Sequence, residues 1–254
     1  MKIAITHNNI KYDVDLKKPI DISVPIQSNG VNAWGMSNLE INPVQNGHWI
    51  GDVAQGASVN FNSICFNPHA HTTHTECVGH ISPDKQVLNN QLTNFFFIAK
   101  LITVCPKNKN KDRIITKTQL LKHIQEVGLV DAVIIRTLPN EQNKITRNYS
   151  GTNPPYLSQD AANYLVQLGV KHLLIDTPSV DKEDDGGALI AHKIFWQFPE
   201  NPRFESTITE LIYVPDEIKD GQYLLNLQFV PFQNDASPSR PVLFKLEKNH
   251  NENG

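Results

Sequence analysis

The sequence predicts a single α/β domain, because its middle region alternates between helical and strand-like patterns. Two helical segments each lead within a few residues into a short apolar strand, and that order is typical of layered α/β folds. Strand-like segments flank this region on both sides. The 254 residues contain no fixed-period repeat and no Ser/Gly-rich linker. We therefore expect one domain over residues 1–247 and a polar, frayed tail over 248–254.

Strands are predicted where apolar and β-branched residues are concentrated. The runs Val133-Ile134-Ile135 and Leu173-Leu174-Ile175 are continuous, as in strands that are buried on both faces. The predicted strands cover residues 21–24, 58–66, 95–104, 131–137, 171–176, 208–214, 223–230 and 241–246.

Three helices are predicted from capping residues and from the spacing of apolar side chains. They run from a Thr118 cap to Gly128, from a Ser158 cap to Gly169, and over residues 188–196. The inward faces of the first two consist of Leu120, Leu121, Ile124 and Val127, and of Ala161, Ala162, Leu165 and Leu168.

The composition argues against several classes of protein. The net charge of −3 comes without a basic stripe, so we expect neither nucleic acid nor a membrane as a partner. The most apolar stretch, residues 95–104, is interrupted by Lys100 and is shorter than the roughly 20 residues of a membrane span. The N-terminus becomes polar too early for a signal sequence, and the three cysteines form no CxxC pair. A cytoplasmic location is therefore expected.

Histidines are concentrated in one segment, because four of the ten lie between residues 69 and 80. Alternate residues of a strand share a face, so His74, Glu76 and His80 point the same way if a strand persists. Imidazole and carboxylate groups without thiolates suit Zn²⁺ or Mn²⁺. On spacing alone, a surface patch is an equal alternative, and His69 or His71 would need a bulge to join His74.

His80 reaches the same centre only if the chain turns before it. On a straight strand, four residues span about 13 Å, at roughly 3.3 Å per residue. His80 would then lie too far from Glu76 to share its surroundings. We therefore predict a turn at Gly79.

The histidine-rich segment resembles the signature of the cyclase-like metal-dependent hydrolases, the family of bacterial kynurenine formamidase and isatin hydrolase. That signature is His-x-Gly-Thr-His-x-Asp-x-Pro-x-His. Residues 73–80 match its second half, with Glu76 in place of Asp and Val78 in place of Pro. The first histidine of the signature is replaced by Ala70, and we expect His69 rather than His71 to substitute for it.

The resemblance covers nearly the whole chain, from about residue 21 to 246, as a divergent branch of the family. Four further segments are similar to family patterns in the same order. They are Asp21-Ile22-Ser23-Val24-Pro25, Asp176-Thr177-Pro178-Ser179-Val180-Asp181 followed by His192, Ile208-Thr209-Glu210-Leu211, and Ser237-Pro238-Ser239-Arg240-Pro241.

The resemblance implies the fold and the metal. The fold is a mixed, partly closed β-sheet with packed helices, the swivelling β/β/α fold of the family. The cofactor is zinc, or manganese as the alternative, as one or two ions. The implied metal ligands are His69, His74, Glu76, His192 and Glu210.

The resemblance also implies the reaction, which is arylformamidase-like hydrolysis of the C–N bond in a small amide, formamide or lactam. Metal-bound hydroxide would attack the carbonyl, and His80 would transfer the proton as a general acid/base. Trp34 is expected to contact the substrate, unless it is only a half-buried loop aromatic. By analogy the protein is a homodimer or homotetramer, and residues 95–97 are apolar enough to face a partner.

Two other classes of function stay open. One is a lyase or dehydratase that uses the same metal site for proton abstraction. The other is a metal-binding protein without catalysis, because Glu in place of Asp lengthens a bridging ligand by one methylene.

Overall fold

The computed structural model describes residues 1–125 and 130–249 of the chain. The N-terminal strands are β1 (Lys2–His7), β2 (Ile10–Asp15), β3 (Ile20–Asp21), β4 (Glu40–Pro43), β5 (Gln45–Asn46), β6 (Trp49–Ile50) and β7 (Asn62–Cys65). The next elements are α1 (Pro68–His71), β8 (His74–Glu76), α2 (Leu88–Gln91), β9 (Phe96–Val104), β10 (Lys107–Lys109), β11 (Asp112–Ile115) and α3 (Lys117–Leu120). The remaining ones are β12 (Ala132–Thr137), β13 (Tyr156–Leu157), α4 (Gln159–Gln167), β14 (His172–Ile175), α5 (Ile190–Trp196), β15 (Thr207–Glu210), β16 (Gly221–Phe229), β17 (Ala236–Lys245) and β18 (Glu247–Lys248). Short 3-10 helices lie at Val53–Gln55, Val78–His80 and Gln142–Ile145.

Seven of the strands close into a barrel. Around the ring the order is β16, β9, β12, β14, β15, β8 and β17, and β17 pairs back with β16, while β3 extends the sheet beside β17. The strands β9, β12, β14 and β15 form a parallel block of the sheet. All other pairs of neighbouring strands in the ring are antiparallel. The predicted single α/β domain with a mixed sheet is confirmed, and the sheet closes fully.

Alternate residues of the barrel strands belong to two separate cores. Val133 of β12 packs with Leu165 of α4 and Phe195 of α5 on the outer face. Ile134 packs with Leu225 and other residues of opposite strands, and so faces the barrel interior. The side chains of a strand alternate between faces, so the continuous apolar runs fill both cores. Functional side chains near α4 and α5 must therefore lie on the outer face.

The second predicted helix is confirmed, whereas the first is much shorter than predicted, because α3 ends at Leu120. Leu121, predicted on its inward face, lies beyond its end and is exposed. Ser158 caps α4, accepting a hydrogen bond from the backbone N–H of Ala161, and Gly169 follows the helix with a positive φ of 76°. The first helix begins at Lys117 rather than after Thr118, because the Gln119 side chain accepts hydrogen bonds from both the backbone N–H and the hydroxyl of Thr116. The expected Val127 and Gly128 lie outside the described residues.

The third helix starts at Ile190, two residues later than predicted. The Asp185 carboxylate accepts hydrogen bonds from the backbone N–H groups of Gly187, Ala188 and Leu189. These bonds hold the preceding residues in a turn, which competes with the first turn of a helix.

All eight predicted strands overlap observed ones, but several are shorter or displaced. The strand expected over 21–24 is only Ile20–Asp21, that over 58–66 is Asn62–Cys65, and that over 208–214 is Thr207–Glu210. Leu211 has a positive φ of 55°, which is not a strand conformation, so β15 ends at Glu210. Within the described residues, no helix is both long and apolar enough to cross a bilayer.

Candidate metal centre

The centre lies on the outer face of the barrel, where β8 and β15 pair beneath α5. In their antiparallel register Glu76 is opposite Ile208 and His74 is opposite Glu210. Ile208 belongs to the outer core with residues of α5. Paired residues and alternate residues of a strand share a face, so Glu76, His74 and Glu210 also face that helix. His192 projects from α5 towards them, with Nε2 3.1 Å from Glu76 Oε1.

His74 offers an unused ring nitrogen to the centre. Its side chain is fully buried, and Nδ1 lies 3.1 Å from the carbonyl oxygen of Thr72, to which it donates. In the neutral ring Nε2 therefore carries no proton, and it has no hydrogen-bond partner among the described residues. It lies 3.5 Å from Glu210 Oε2. A buried imidazole that is oriented through its other nitrogen is typical of a metal ligand.

Glu76 is the carboxylate at the middle of the cluster. Its Oε2 lies 3.2 Å from His69 Nδ1 and 3.7 Å from His80 Nδ1, but no described residue makes a hydrogen bond of good geometry to it. Complete burial raises the pKa of Glu76, but the nearby His80, His192 and His69 outweigh it and hold the pKa well below its usual range. The carboxylate is therefore ionised in the interior.

Asp181 fixes the orientation of His192. Its Oδ2 lies 2.7 Å from His192 Nδ1, and the carboxylate also accepts the backbone N–H groups of Ala191 and His192 at 2.7 and 3.1 Å. The bond at Nδ1 directs Nε2 to Glu76 and Glu210, an arrangement found behind many metal-ligating histidines. Burial lowers the pKa of His192, but Asp181 and Glu76 raise it to about 10.

Asp235 joins His69 and His80 on the open side of the cluster. It immediately precedes β17, and its Oδ2 lies 3.6 Å from His69 Nε2 and 3.4 Å from His80 Nδ1. The two imidazole rings are 4.5 Å apart, and both are partly exposed. Burial lowers the pKa of His69, but Asp235 and Glu76 raise it to about 10. Hydrogen bonds from the two histidines lower the pKa of Asp235.

The chain turns at Gly79, as predicted, but the strand ends earlier than expected. β8 stops at Glu76, and Val78–His80 forms a single 3-10 turn that carries His80 back beside Glu76. A Cβ on Gly79 would lie 2.1 Å from the carbonyl oxygen of Gln86, so no other residue fits there without a shift of the backbone. The close approach of these two segments is what positions His80.

His71 lies outside the cluster. Its Nδ1 accepts the backbone N–H of Asn67 and its Nε2 donates to the carbonyl of Ser37, both at 2.9 Å. Both ring nitrogens of His71 thus bind backbone groups. Of His69 and His71, it is His69 that faces Glu76. Trp34 borders the cluster without entering it, since its indole N–H donates to the carbonyl oxygen of His69 at 3.2 Å and its side chain is 39% exposed.

Two carboxylates of the cluster were not assigned from the sequence. Asp181 stands in the Asp176-to-Asp181 segment and precedes His192 by 11 residues. α5 begins only at Ile190, so the two residues do not share one element and their spacing does not report their contact. Asp235 lies two residues before the Ser237-Pro238 pair at the start of β17, and that pair is the signal that could have drawn attention to it.

The residues fit a divalent cation. Three overlapping sets offer ligand atoms within 4.8 Å of one another, namely His69, His74 and Glu76; Glu76, His80 and His192; and His69, His80 and Asp235. The unpartnered atoms His74 Nε2 and Glu76 Oε2 are both in the first set. Buried polar atoms ordinarily have partners, and a cation between these two atoms would supply one to both. Since Glu76 belongs to two sets, it could bridge two ions.

Comparison with known proteins gives the family. The sequence model of the Cyclase family, described as putative cyclase, matches residues 20–182, and the chain belongs to that family. The chain is 26% identical to the kynurenine formamidase of Bacillus cereus over 226 residues, which cover 88% of this chain and 96% of the relative. It is also 26% identical to the kynurenine formamidase of Bacillus cytotoxicus over 196 residues, which cover 76% and 83%.

Solved structures show the same fold at low identity. A potential metal-dependent hydrolase with cyclase activity superposes with a TM-score of 0.64 at 18% identity, over 89% of this chain and 97% of that one. An isatin hydrolase bound to the product analogue thioisatinate superposes with a TM-score of 0.63 at 13% identity, over 90% and 92%. The predicted family membership is thus confirmed, while the roles of the individual site residues stay predictions.

Removing His192, or the carboxylate of Asp181 that orients its ring, should weaken metal binding. We expect His192→Ala to lower the metal content of the purified protein, and Asp181→Asn to weaken affinity by about 10- to 100-fold, because Asp181 orients the ring. Mass spectrometry of bound metal and competition with a chelating dye measure the two effects. His123→Ala, an exposed histidine outside the cluster, is the control. Unchanged metal content in His192→Ala would remove this residue from the ligand set.

Metal binding should also release protons. Without a cation the pKa values of His69 and His192 are raised to about 10, so both rings carry a proton near neutral pH. A ligating imidazole must be neutral, so binding should displace about one to two protons and weaken as the pH falls. Calorimetric titration with Zn²⁺ in two buffers of different ionisation heat measures the number. Identical heats in both buffers would contradict this expectation.

Proposed function

We propose that the protein is a metal-dependent hydrolase that cleaves the C–N bond of a small amide, formamide or lactam. Membership in the Cyclase family and the likeness to kynurenine formamidases support a hydrolase of this class. The observation that carries the proposal is the pair of unpartnered buried atoms, His74 Nε2 and Glu76 Oε2, within one cluster of histidines and carboxylates.

In this proposal one or two cations would be held by His69, His74, Glu76, His192 and Glu210. Zinc is the first candidate because imidazole ligands predominate, and manganese is the second because two carboxylates contribute. When bound, such a cation supplies Lewis acidity, which polarises a carbonyl oxygen and lowers the pKa of water.

His80 is proposed to move the proton to the leaving nitrogen. Its Nδ1 faces Asp235 and Glu76 at 3.4 and 3.7 Å, so these carboxylates orient the ring and leave Nε2 for the substrate. Its side chain is 31% exposed, so it can be reached from solvent. A positioned acid/base with one nitrogen held by a carboxylate is the arrangement that proton transfer requires.

Trp34 is proposed to contact the ring of an aromatic or cyclic substrate. Its indole N–H is bonded to the carbonyl of His69, which ties the loop of Trp34 to the cluster. The remaining exposed ring surface is available for stacking against a flat substrate.

The free thiols of Cys65, Cys77 and Cys105 suit the cytoplasmic location that we propose for the enzyme.

The protein is further proposed to be a homodimer or homotetramer. Residues 40–66, which we call the arm, form two small two-stranded sheets, and such hairpins are marginally stable on their own. Its exposed apolar side chains are Ile41, Trp49, Val53, Val59, Phe61 and Ile64. Of the run 95–97, Phe97 is buried while Phe95 and Phe96 are exposed. A second copy of the chain would cover these surfaces.

His80→Ala should reduce turnover by about 10²- to 10⁴-fold while the metal is retained, because a proton shuttle contributes that much. Gly79→Val should have a similar effect, since its side chain would displace the turn that carries His80. Turnover is measured on a panel of N-formyl aromatic amines, lactams and cyclic imides, with bound metal determined in parallel.

The control for both variants is His123→Ala, which should keep full turnover. A His80→Ala protein with undiminished turnover would overturn the acid/base role, and loss of metal in that variant would make His80 a ligand instead. Hydrolysis itself is tested in ¹⁸O-labelled water. Product without the label would contradict a hydrolase and favour a lyase.

Light scattering at micromolar concentration should give the mass of a dimer or tetramer. Phe61→Asp should shift the protein towards monomer, because it places a charge on the apolar surface of the arm. Ile10→Asp, at an exposed position outside the arm, should leave the mass unchanged. A monomeric wild-type protein would rule out the assembly.

A further inference from the structure

A second polar cavity lies beyond the carboxyl ends of β12 and β14. Its volume is about 230 Å³, and its walls include Thr137 and Asp176 at the strand ends and residues of the segment 147–155. Ligands bind at this edge of the sheet in many α/β folds. The cavity is too small for a large organic ligand but has room for an acidic group and water.

A buried ion pair forms the base of this cavity. Lys144 is 5% exposed, and its Nζ lies 2.7 Å from Asp176 Oδ2 and 2.6 Å from the carbonyl oxygen of Thr137. Further bonds reach the Thr137 hydroxyl and the Asn140 side chain, both at 3.2 Å. The ammonium donors are thus satisfied, and Lys144 with Asp176 is close to neutral as a pair.

The positive charge available to a ligand comes from two arginines. The guanidinium of Arg113 faces no carboxylate among the described residues, and its one hydrogen bond there is a long one of 3.5 Å to the carbonyl of Asn153. Arg147 uses Nη2 for Glu141 and Asn143, which leaves Nε and Nη1 unused within the described chain. Both arginines line the cavity, and both guanidinium groups retain N–H donors that no described residue accepts.

Tyr149 adds a hydroxyl group without a partner. Its side chain is only 4% exposed, it lines the same cavity, and its ring lies 5.6 Å from the guanidinium carbon of Arg147. Its hydroxyl makes no hydrogen bond to the described residues. Burial and the nearby Asp176 raise the pKa of Tyr149, so the group stays protonated and can donate. Because Tyr149 lines the cavity, this hydroxyl is available to donate to a ligand there.

We propose that this cavity binds a small oxyanion, a carboxylate or a phosphate group, through Arg113, Arg147 and the Tyr149 hydroxyl. A guanidinium presents parallel N–H donors that match two oxygens of either group. The neutral base of the cavity does not repel the anion, and the partial enclosure strengthens the attraction. The site is independent of the proposed hydrolase activity, because none of the three residues hydrogen-bonds to the histidine cluster.

The test is titration of the full-length protein with sodium phosphate and with sodium benzoate at constant ionic strength, followed by thermal unfolding and calorimetry. We expect a saturable rise in the unfolding temperature with at least one of the two anions. Phosphate alone would identify a phosphate group as the ligand, and benzoate alone a carboxylate. Because the readout is anion binding, its outcome is distinguishable from any failure of the hydrolase proposal.

Three variants locate the binding. Arg113→Gln and Tyr149→Phe should each weaken it by at least about tenfold, since each removes a donor to the anion. Tyr149→Phe keeps the buried ring and so preserves the fold. Arg240→Gln, at an exposed arginine paired with Asp21, should bind as the wild type does. Absence of saturable binding up to about 50 mM of either anion, or unaltered binding in both cavity variants, would overturn the proposal.

Discussion

The buried charge of Glu76 is the constraint on which the centre depends. An isolated carboxylate in the interior costs several kcal/mol, so it requires compensation from its neighbours. Here three histidines supply it, and they come from α1, from the turn at Gly79 and from α5. The carboxylate is stabilised only when all three elements are docked on the barrel. The fold and the centre are therefore coupled, and a cation that replaces protons on the histidines would strengthen that coupling.

Closure of the barrel is what brings the remaining groups to Glu76. β8 is short, but it pairs on one side with β15 and on the other with β17. The first pairing places Glu210 opposite His74, and the second brings Asp235, which precedes β17, next to His69. The parallel strands contribute in another way, since their carboxyl ends form the wall of the anion cavity. The outer face of the barrel thus carries the candidate metal centre, and one end of the barrel carries the proposed anion site.

The sequence predicts the architecture better than it predicts the site. Continuous apolar runs indicate the central strands because those strands are buried on both faces. His69, His74 and Glu76 lie close together in the sequence, so their grouping could also be predicted. The turn at Gly79 could be predicted because a straight strand would carry His80 too far from Glu76. Asp181 and Asp235 act through tertiary contacts, and no residue spacing reports such contacts. Helix starts shift for a related reason, as at Thr116, where a side chain three residues later decides the cap.

X-ray diffraction from crystals of the metal-loaded protein, recorded at the absorption edge of the metal, tests the central claim most directly. The claim is that His74 Nε2 and Glu76 Oε2, which lack a hydrogen-bond partner among the described residues, both bind a cation. The account predicts an anomalous peak within bonding distance of both atoms, about 2.0–2.2 Å for zinc. A crystal that contains the metal but shows no peak beside either atom would contradict it.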